Sequence, residues 1–212
     1  MGPWDDRVIN SFGGIQLAGA HFGGSNALRT TVANAWSKCS PRCTMECDRD
    51  NEMSARLCAA IGELLDIATL PCDLSEQIRS DALSIGCTVG RMCPSARELE
   101  LALEIIGENT CARWHMDKFV GRAIVSYTGA VGTEYAHDSN VDMWELQNGG
   151  HNTRIIRDTG QIEAVGVGDI LFIKGSEYPH GKAGLVHKSP EKRHHDDGSI
   201  VNRLLLKVDV HA

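Results

Sequence analysis

The sequence predicts an α+β protein in which a mainly helical N-terminal half precedes an antiparallel β-sandwich or barrel. Three observations predict it. Met53, Leu57, Ile61, Leu64, Leu65 and Ala68 recur at helical spacing. Leu99, Leu101, Leu103 and Ile105 alternate with Glu98, Glu100, Ala102 and Glu104, a period of two. Beyond residue 113, short apolar runs are separated by glycines, the pattern of several short strands joined by tight turns.

Taken in order, residues 1–25 carry the pairs Gly13-Gly14 and Gly23-Gly24 and read as loops. Ser25 to Trp36 reads as a helix with Ser25 as its cap, and 52–69 as a second helix. Pro71 breaks the chain; Asp73 with Glu76 then forms a capping-box-like start for a helix to Ile85, with Gly86 as its stop. The alternation from Arg97 marks a half-buried strand. Arg113 to Asp117, Arg122 to Tyr127, Thr153 to Arg157, Ile162 to Val165, Asp169 to Lys174 and Asn202 to Val210 follow as strands. The expected organisation is a single domain over 1–212, with a helical and loop part at 1–96 and a sheet core at 97–212. The helices would pack on one face of the sheet. Trp114 and Trp144 are expected in the core or a pocket wall.

The bulk numbers fit that picture. Of 212 residues 42% are hydrophobic and 23% charged, which supplies a core and excludes wholesale disorder. A formal charge of −7 argues against a general nucleic-acid binder, which needs a basic face. No stretch reaches the roughly 18 apolar residues of a membrane helix, and the N-terminus has neither the basic start nor the apolar run of a secretory signal. The expectation is a cytoplasmic or other reducing intracellular compartment, where the eight cysteines persist as thiols. None forms a C-x-x-C pair; Cys39, Cys43 and Cys47 would share a helical face, but Pro41 interrupts the segment.

His115 and Asp117 are two apart. On a strand, such residues point to one face, so an imidazole and a carboxylate can reach one ion. The spacing recurs at His194/Asp196 and His195/Asp197, within a charged run that reads as a solvated loop, so context decides. His115 lies between an alternating strand and the apolar Ala123-Ile-Val, and a second histidine, His187, directly follows Gly184-Leu-Val. Two histidines and a carboxylate on a β-scaffold can form a facial triad with three coordination positions open. A closed structural zinc site wants a fourth protein ligand.

The order His115-Met-Asp117, then Y-T-G-A-V-G-T-E from Tyr127 to Glu134, G-D-I-L-F, G-L-V-H and N-R-L-L-L-K-V-D resembles the double-stranded β-helix (jelly roll) of the cupin-like 2-oxoglutarate/Fe(II) dioxygenases. The resemblance covers residues 97–210. It implies His115, Asp117 and His187 as the catalytic metal ligands, with Fe(II) as the metal and zinc as the alternative. It also implies 2-oxoglutarate as a small-molecule co-substrate, its far carboxylate gripped by Arg203; Tyr127 is a candidate hydrogen-bond partner of the co-substrate, with packing and a hydroxyl at the rim as the alternative. Arg203 has the alternative of pairing with Asp209 or Glu134. His180 is a candidate additional ligand, and Glu134 a candidate partner orienting a ligand histidine. At finer grain, C-A-R-W-H-M-D, G-T-E-Y and G-L-V-H-K-S-P are similar to the family known as domain of unknown function 1826, which has an association with zinc homeostasis. Three functions follow as expectations. One is an oxygenase. Another is a cupin-like hydrolase or lyase using zinc or another divalent ion. The third is a non-enzymatic metal-binding protein that uses the histidines and some thiols.

Overall fold

The computed structural model describes residues 4–7, 26–37, 46–108, 110–181 and 183–211. Among the described residues, eight strands and four α-helices follow one another as β1 (Asn26–Ala33), α1 (Glu46–Ala68), α2 (Cys72–Met92), β2 (Glu98–Ile106), β3 (Gly121–Ser126), β4 (Glu134–Ala136), α3 (Met143–Gln147), α4 (Asn152–Ile155), β5 (Glu163–Ala164), β6 (Ile170–Lys174), β7 (Val186–Lys188) and β8 (Arg203–Val210). They form a five-stranded sheet in the order β1-β2-β8-β3-β6 and a three-stranded sheet in the order β5-β4-β7.

The pairing defines the architecture. β2 pairs with β8, the His115 segment bridges His187 of β7, β3 pairs with β6, and β4 with β5, all antiparallel. From β2 onward the chain passes between two facing sheets in nested antiparallel pairs. That is a double-stranded β-helix, or jelly roll.

The helices cover the outer face of the large sheet. Met53, Leu57, Ile61 and Leu64 of α1 and Leu74, Ile78, Ile85 and Val89 of α2 share a buried core with Leu99, Leu101, Leu103, Ala123, Val125, Leu204, Leu206, Val208 and Val210. Acidic Glu46 and Asp48 in the first turn of α1 suit the positive end of its dipole. Among the described residues no helix is long and apolar enough to cross a membrane.

Several expectations are corrected. The predicted helix at Ser25–Trp36 is strand β1, because every residue from Asn26 to Ala33 finds a partner on the free edge of β2. α2 starts at Cys72 with Pro71 as its cap and no side-chain capping bond, so the capping box does not form. Gly86 does not stop the helix, which runs on to Met92. A Cβ at Gly86 would stand 2.6 Å from Leu57 Cδ2, so the glycine admits close packing of α1 instead. Residues 152–155 are a helical turn rather than a strand. From Leu101 on, β2 is buried on both faces rather than half-buried, since its second side faces the sandwich interior, where Glu104 is bonded to Lys207. Trp114 is in the core, but Trp144 is exposed. Cys39 and Cys43 lie outside the described residues.

Candidate metal centre

His115, Asp117 and His187 meet at one end of the jelly roll. One ligand atom from each lies within 4.8 Å of the other two, and among the described residues no other group of three or more His, Cys, Asp or Glu side chains is so placed. The backbone sets this up. His115 and His187 exchange two hydrogen bonds of 3.0 Å, N–H to carbonyl in both directions, which puts their rings on the same face with centroids 4.5 Å apart. Asp117 follows on the same side and is fixed by its own carbonyl, which accepts from Ser176 N at 2.9 Å and Ser176 Oγ at 3.0 Å.

Each imidazole is held in the tautomer a metal requires. His115 Nδ1 lies 2.8 Å from the carbonyl of Arg113, and His187 Nδ1 3.0 Å from that of Leu185. A carbonyl only accepts, so both Nδ1 atoms carry the proton and both Nε2 lone pairs are free. Those Nε2 atoms face Asp117 at 3.8 Å (His115 to Oδ1) and 3.5 Å (His187 to Oδ2). The separations are too long for good hydrogen bonds. An ion with 2.0–2.2 Å bonds sets donors at right angles roughly 3 Å apart, so the three side chains would draw slightly closer to grip one. Burial pushes the His187 imidazole down to about 4, with the Asp117 charge pulling upward and His115 downward. His187 is therefore neutral, and able to donate its lone pair, at physiological pH.

Around the trio the residues divide by strand face. On β8, Arg203, Leu205, Lys207 and Asp209 alternate with the core residues Leu204, Leu206, Val208 and Val210 and so point into the sandwich. Asp209 pairs with Arg122 of β3, which also donates from Nη1 to Asp117 Oδ2 at 3.0 Å. Burial disfavours the Arg122 cation, but Asp209, Asp117 and Glu104 outweigh it and hold its pKa above the ordinary arginine value.

Arg203 stands at the other end of β8, about 20 Å along the strand from Asp209 at 3.3 Å per residue. It is buried, and its Nη2 has no hydrogen-bond partner. Its neighbouring carboxylates are engaged elsewhere, Glu104 by Lys207 and Glu134 by Lys188 at 2.6 Å. Desolvation draws the guanidinium down to about 10 against the pull of Glu104 and Glu134, so it remains a cation at neutral pH. Its aliphatic stem lies over Gly129, whose φ of +98° and lack of a Cβ make the contact feasible: a Cβ there would sit 2.7 Å from Arg203 Cγ. With Thr110, Pro190, Arg193 and Val201 it lines a narrow cleft. A larger apolar cavity of about 280 Å³, between Val89, Met92 and Cys93 on one side and Phe172 on the other, is lined by none of the three clustered ligands.

Of the residues singled out in the sequence, the structure brings His115, Asp117 and His187 together; Arg203 points inward at the other end of β8, in a cleft that none of the three lines. Tyr127 is a correction. It is buried on the helix side of β3, where its hydroxyl donates to Asp81 of α2 at 2.9 Å, because alternation from Arg122 puts residue 127 outward. Glu134 pairs with Lys188 and has no bond to either ligand histidine, and His180 is exposed against Tyr178. The described cysteines take no part: Cys47, Cys58, Cys72 and Cys111 are exposed, Cys87 half-buried and Cys93 buried. Sequence reasoning missed Arg122 and Asp209. The signal was present as a single charge on the otherwise apolar β3 and as the charges that alternate with apolar residues along β8.

Residues 26–209 match the family described as "Protein of unknown function (DUF1826)", and the chain belongs to that family. Among curated proteins none matches. Among solved structures, the chain is similar to the dioxygenase for auxin oxidation from rice, at 9% identity over 98% of this chain and 67% of that one, with a TM-score of 0.45. It is also similar to AtDAO1 from Arabidopsis thaliana in its complex with 2-oxoglutarate, at 10% identity over 100% and 73% of the two chains and a TM-score of 0.41. A third is the Fe(II)/(alpha)ketoglutarate-dependent dioxygenase TqaL, at 12% identity over 97% and 72%, with a TM-score of 0.45.

Proposed function

We propose that this protein is an Fe(II)- and 2-oxoglutarate-dependent oxygenase of the hydroxylase type. His115 Nε2, His187 Nε2 and the Asp117 carboxylate would hold the metal, and Arg203 would take the far carboxylate of 2-oxoglutarate. Bound Fe(II) together with this co-substrate supplies the chemistry that activates dioxygen. The side chains supply the rest. The Arg113 and Leu185 carbonyls keep both imidazoles proton-free at Nε2, and Ser176 fixes the backbone of Asp117. Ile106, Ile124, Ile173 and Leu205 form an apolar cluster between the sheets that excludes water from the interior. The His115 side chain is 40% exposed while those of Asp117 and His187 are 8% and 5% exposed, so the substrate reaches the centre from the His115 side.

The observation that carries this reading is the unpartnered, buried nitrogen of Arg203. A buried guanidinium nitrogen with no hydrogen-bond partner is costly, and a guanidinium fork is the natural complement of a carboxylate. The test is anaerobic addition of 2-oxoglutarate to the Fe(II)-loaded protein. The expected result is a weak visible charge-transfer band, lost in Asp117→Ala; an absent band in the loaded wild-type protein removes the proposal.

A further inference from the structure

We propose that Arg122 is a positioning residue that occupies Oδ2 of Asp117, so that this carboxylate meets a metal through Oδ1 alone and three coordination positions stay free. The inference rests on the metal-centre reading above and adds to it how many positions that centre offers.

The geometry is a relay across two strands. Arg122 of β3 lies directly opposite Asp209 of β8 in the ladder. Asp209 accepts from Nε at 2.5 Å and from Nη2 at 2.8 Å, a two-point grip that fixes the plane of the guanidinium. With that plane fixed, the direction of Nη1 is fixed too, and Nη1 donates at 3.0 Å to Asp117 Oδ2, the oxygen that also lies 3.5 Å from His187 Nε2, while Oδ1 faces His115. Phe119 covers one face of the guanidinium at 4.7 Å. The side chains of Arg122, Asp209 and Asp117 are 14%, 2% and 8% exposed, so this is a packed assembly rather than a surface pair.

Charge explains why three groups are present rather than two. The Arg122–Asp209 pair would be complete without Asp117, and a lone arginine beside a metal ligand would repel a dication. Asp209 cancels the charge of Arg122, so the trio keeps the single negative charge of Asp117 while one of its oxygens is withdrawn. A carboxylate free to turn can chelate through both oxygens. With two histidines that fills four of six octahedral sites and leaves two, too few for a chelating co-substrate and a further ligand.

The number of metal-bound waters reads this directly. Mn(II) is added to wild-type protein, to Arg122→Met/Asp209→Asn, which removes the donor without stranding a buried charge, and to Arg122→Lys, which keeps the charge but not the fork. Broadening of the Mn(II) electron paramagnetic resonance lines in ¹⁷O-enriched water then counts the water ligands. We expect three in the wild type and two in both variants. Should the double variant fail to fold, Arg122→Lys decides alone. Three waters in a folded variant, or a folded variant that no longer binds Mn(II), overturns the role of Arg122 and leaves the metal centre standing. A wild-type protein that binds no Mn(II) at His115, Asp117 and His187 overturns the metal-centre reading itself.

Discussion

On the helix side of β8, Leu204, Leu206, Val208 and Val210 are packed against α1 and α2; on the other side of the same strand, Arg203, Lys207 and Asp209 are buried or nearly so and carry charge. The apolar face gains free energy from burial, at about 25 cal/mol per Å². The charged face must offset desolvation, and two of its three charges do so locally, Asp209 with Arg122 and Lys207 with Glu104. Arg203 alone has an open hydrogen-bonding direction. One strand thus separates apolar packing from buried charge, and Arg203 is the charge with a hydrogen-bonding direction left unmet.

That contrast can be broken from either side. Leu206→Ala, on the packed face, is expected to cost about 2–5 kcal/mol of stability in chemical denaturation. The metal affinity of the folded fraction should be unchanged; a matching loss of metal affinity would mean that the faces are not independent. Next in size is an acid effect. Native His187 stays neutral down to about 4, whereas the unfolded chain titrates near 6.5, so between these values the unfolded state binds the extra proton and stability rises with pH. The contribution, on the order of 3 kcal/mol, is complete above pH 6.5 and lost as pH falls toward 4. Urea titrations of metal-free protein at pH 7 and pH 5 should therefore differ less in His187→Asn than in the wild type; an equal difference contradicts the assignment.

On the charged face, Arg203→Ala is expected to weaken 2-oxoglutarate binding to the Fe(II) form about 100-fold, read by anaerobic titration, with metal affinity retained. Binding as tight as in the wild type would place the anchor elsewhere. The smallest effect has the opposite sign. Without a diacid, Arg203→Met removes a buried cation that has an unmet hydrogen-bonding direction and should raise the stability of the metal-free protein by about 1 kcal/mol or more. A clear loss of stability would show that Arg203 is structurally paired.

What the sequence reveals and what it hides follow from how local each signal is. The strands β2 and β8 announce themselves by alternation and β3 and β6 as short apolar runs near glycines, and the shared face of His115 and Asp117 is equally local. The nature of β1 was not legible, because its partner is the edge of β2, some 70 residues away. The same holds for Gly86, whose meaning lies in Leu57 of a different helix. The Arg122–Asp209 pair joins residues 87 apart. Tyr127 was legible in principle: counting by twos from Arg122 places it with Ala123 and Val125 on the helix side.

The most direct test of the account is metal stoichiometry in the wild-type protein and in His115→Ala, Asp117→Ala and His187→Ala, each measured by equilibrium dialysis against Fe(II) under nitrogen with thiols reduced. The account predicts one tightly held ion per wild-type chain and none retained by any of the three folded variants. Full occupancy in any one of them, or occupancy that disappears when the cysteines are alkylated, would contradict it.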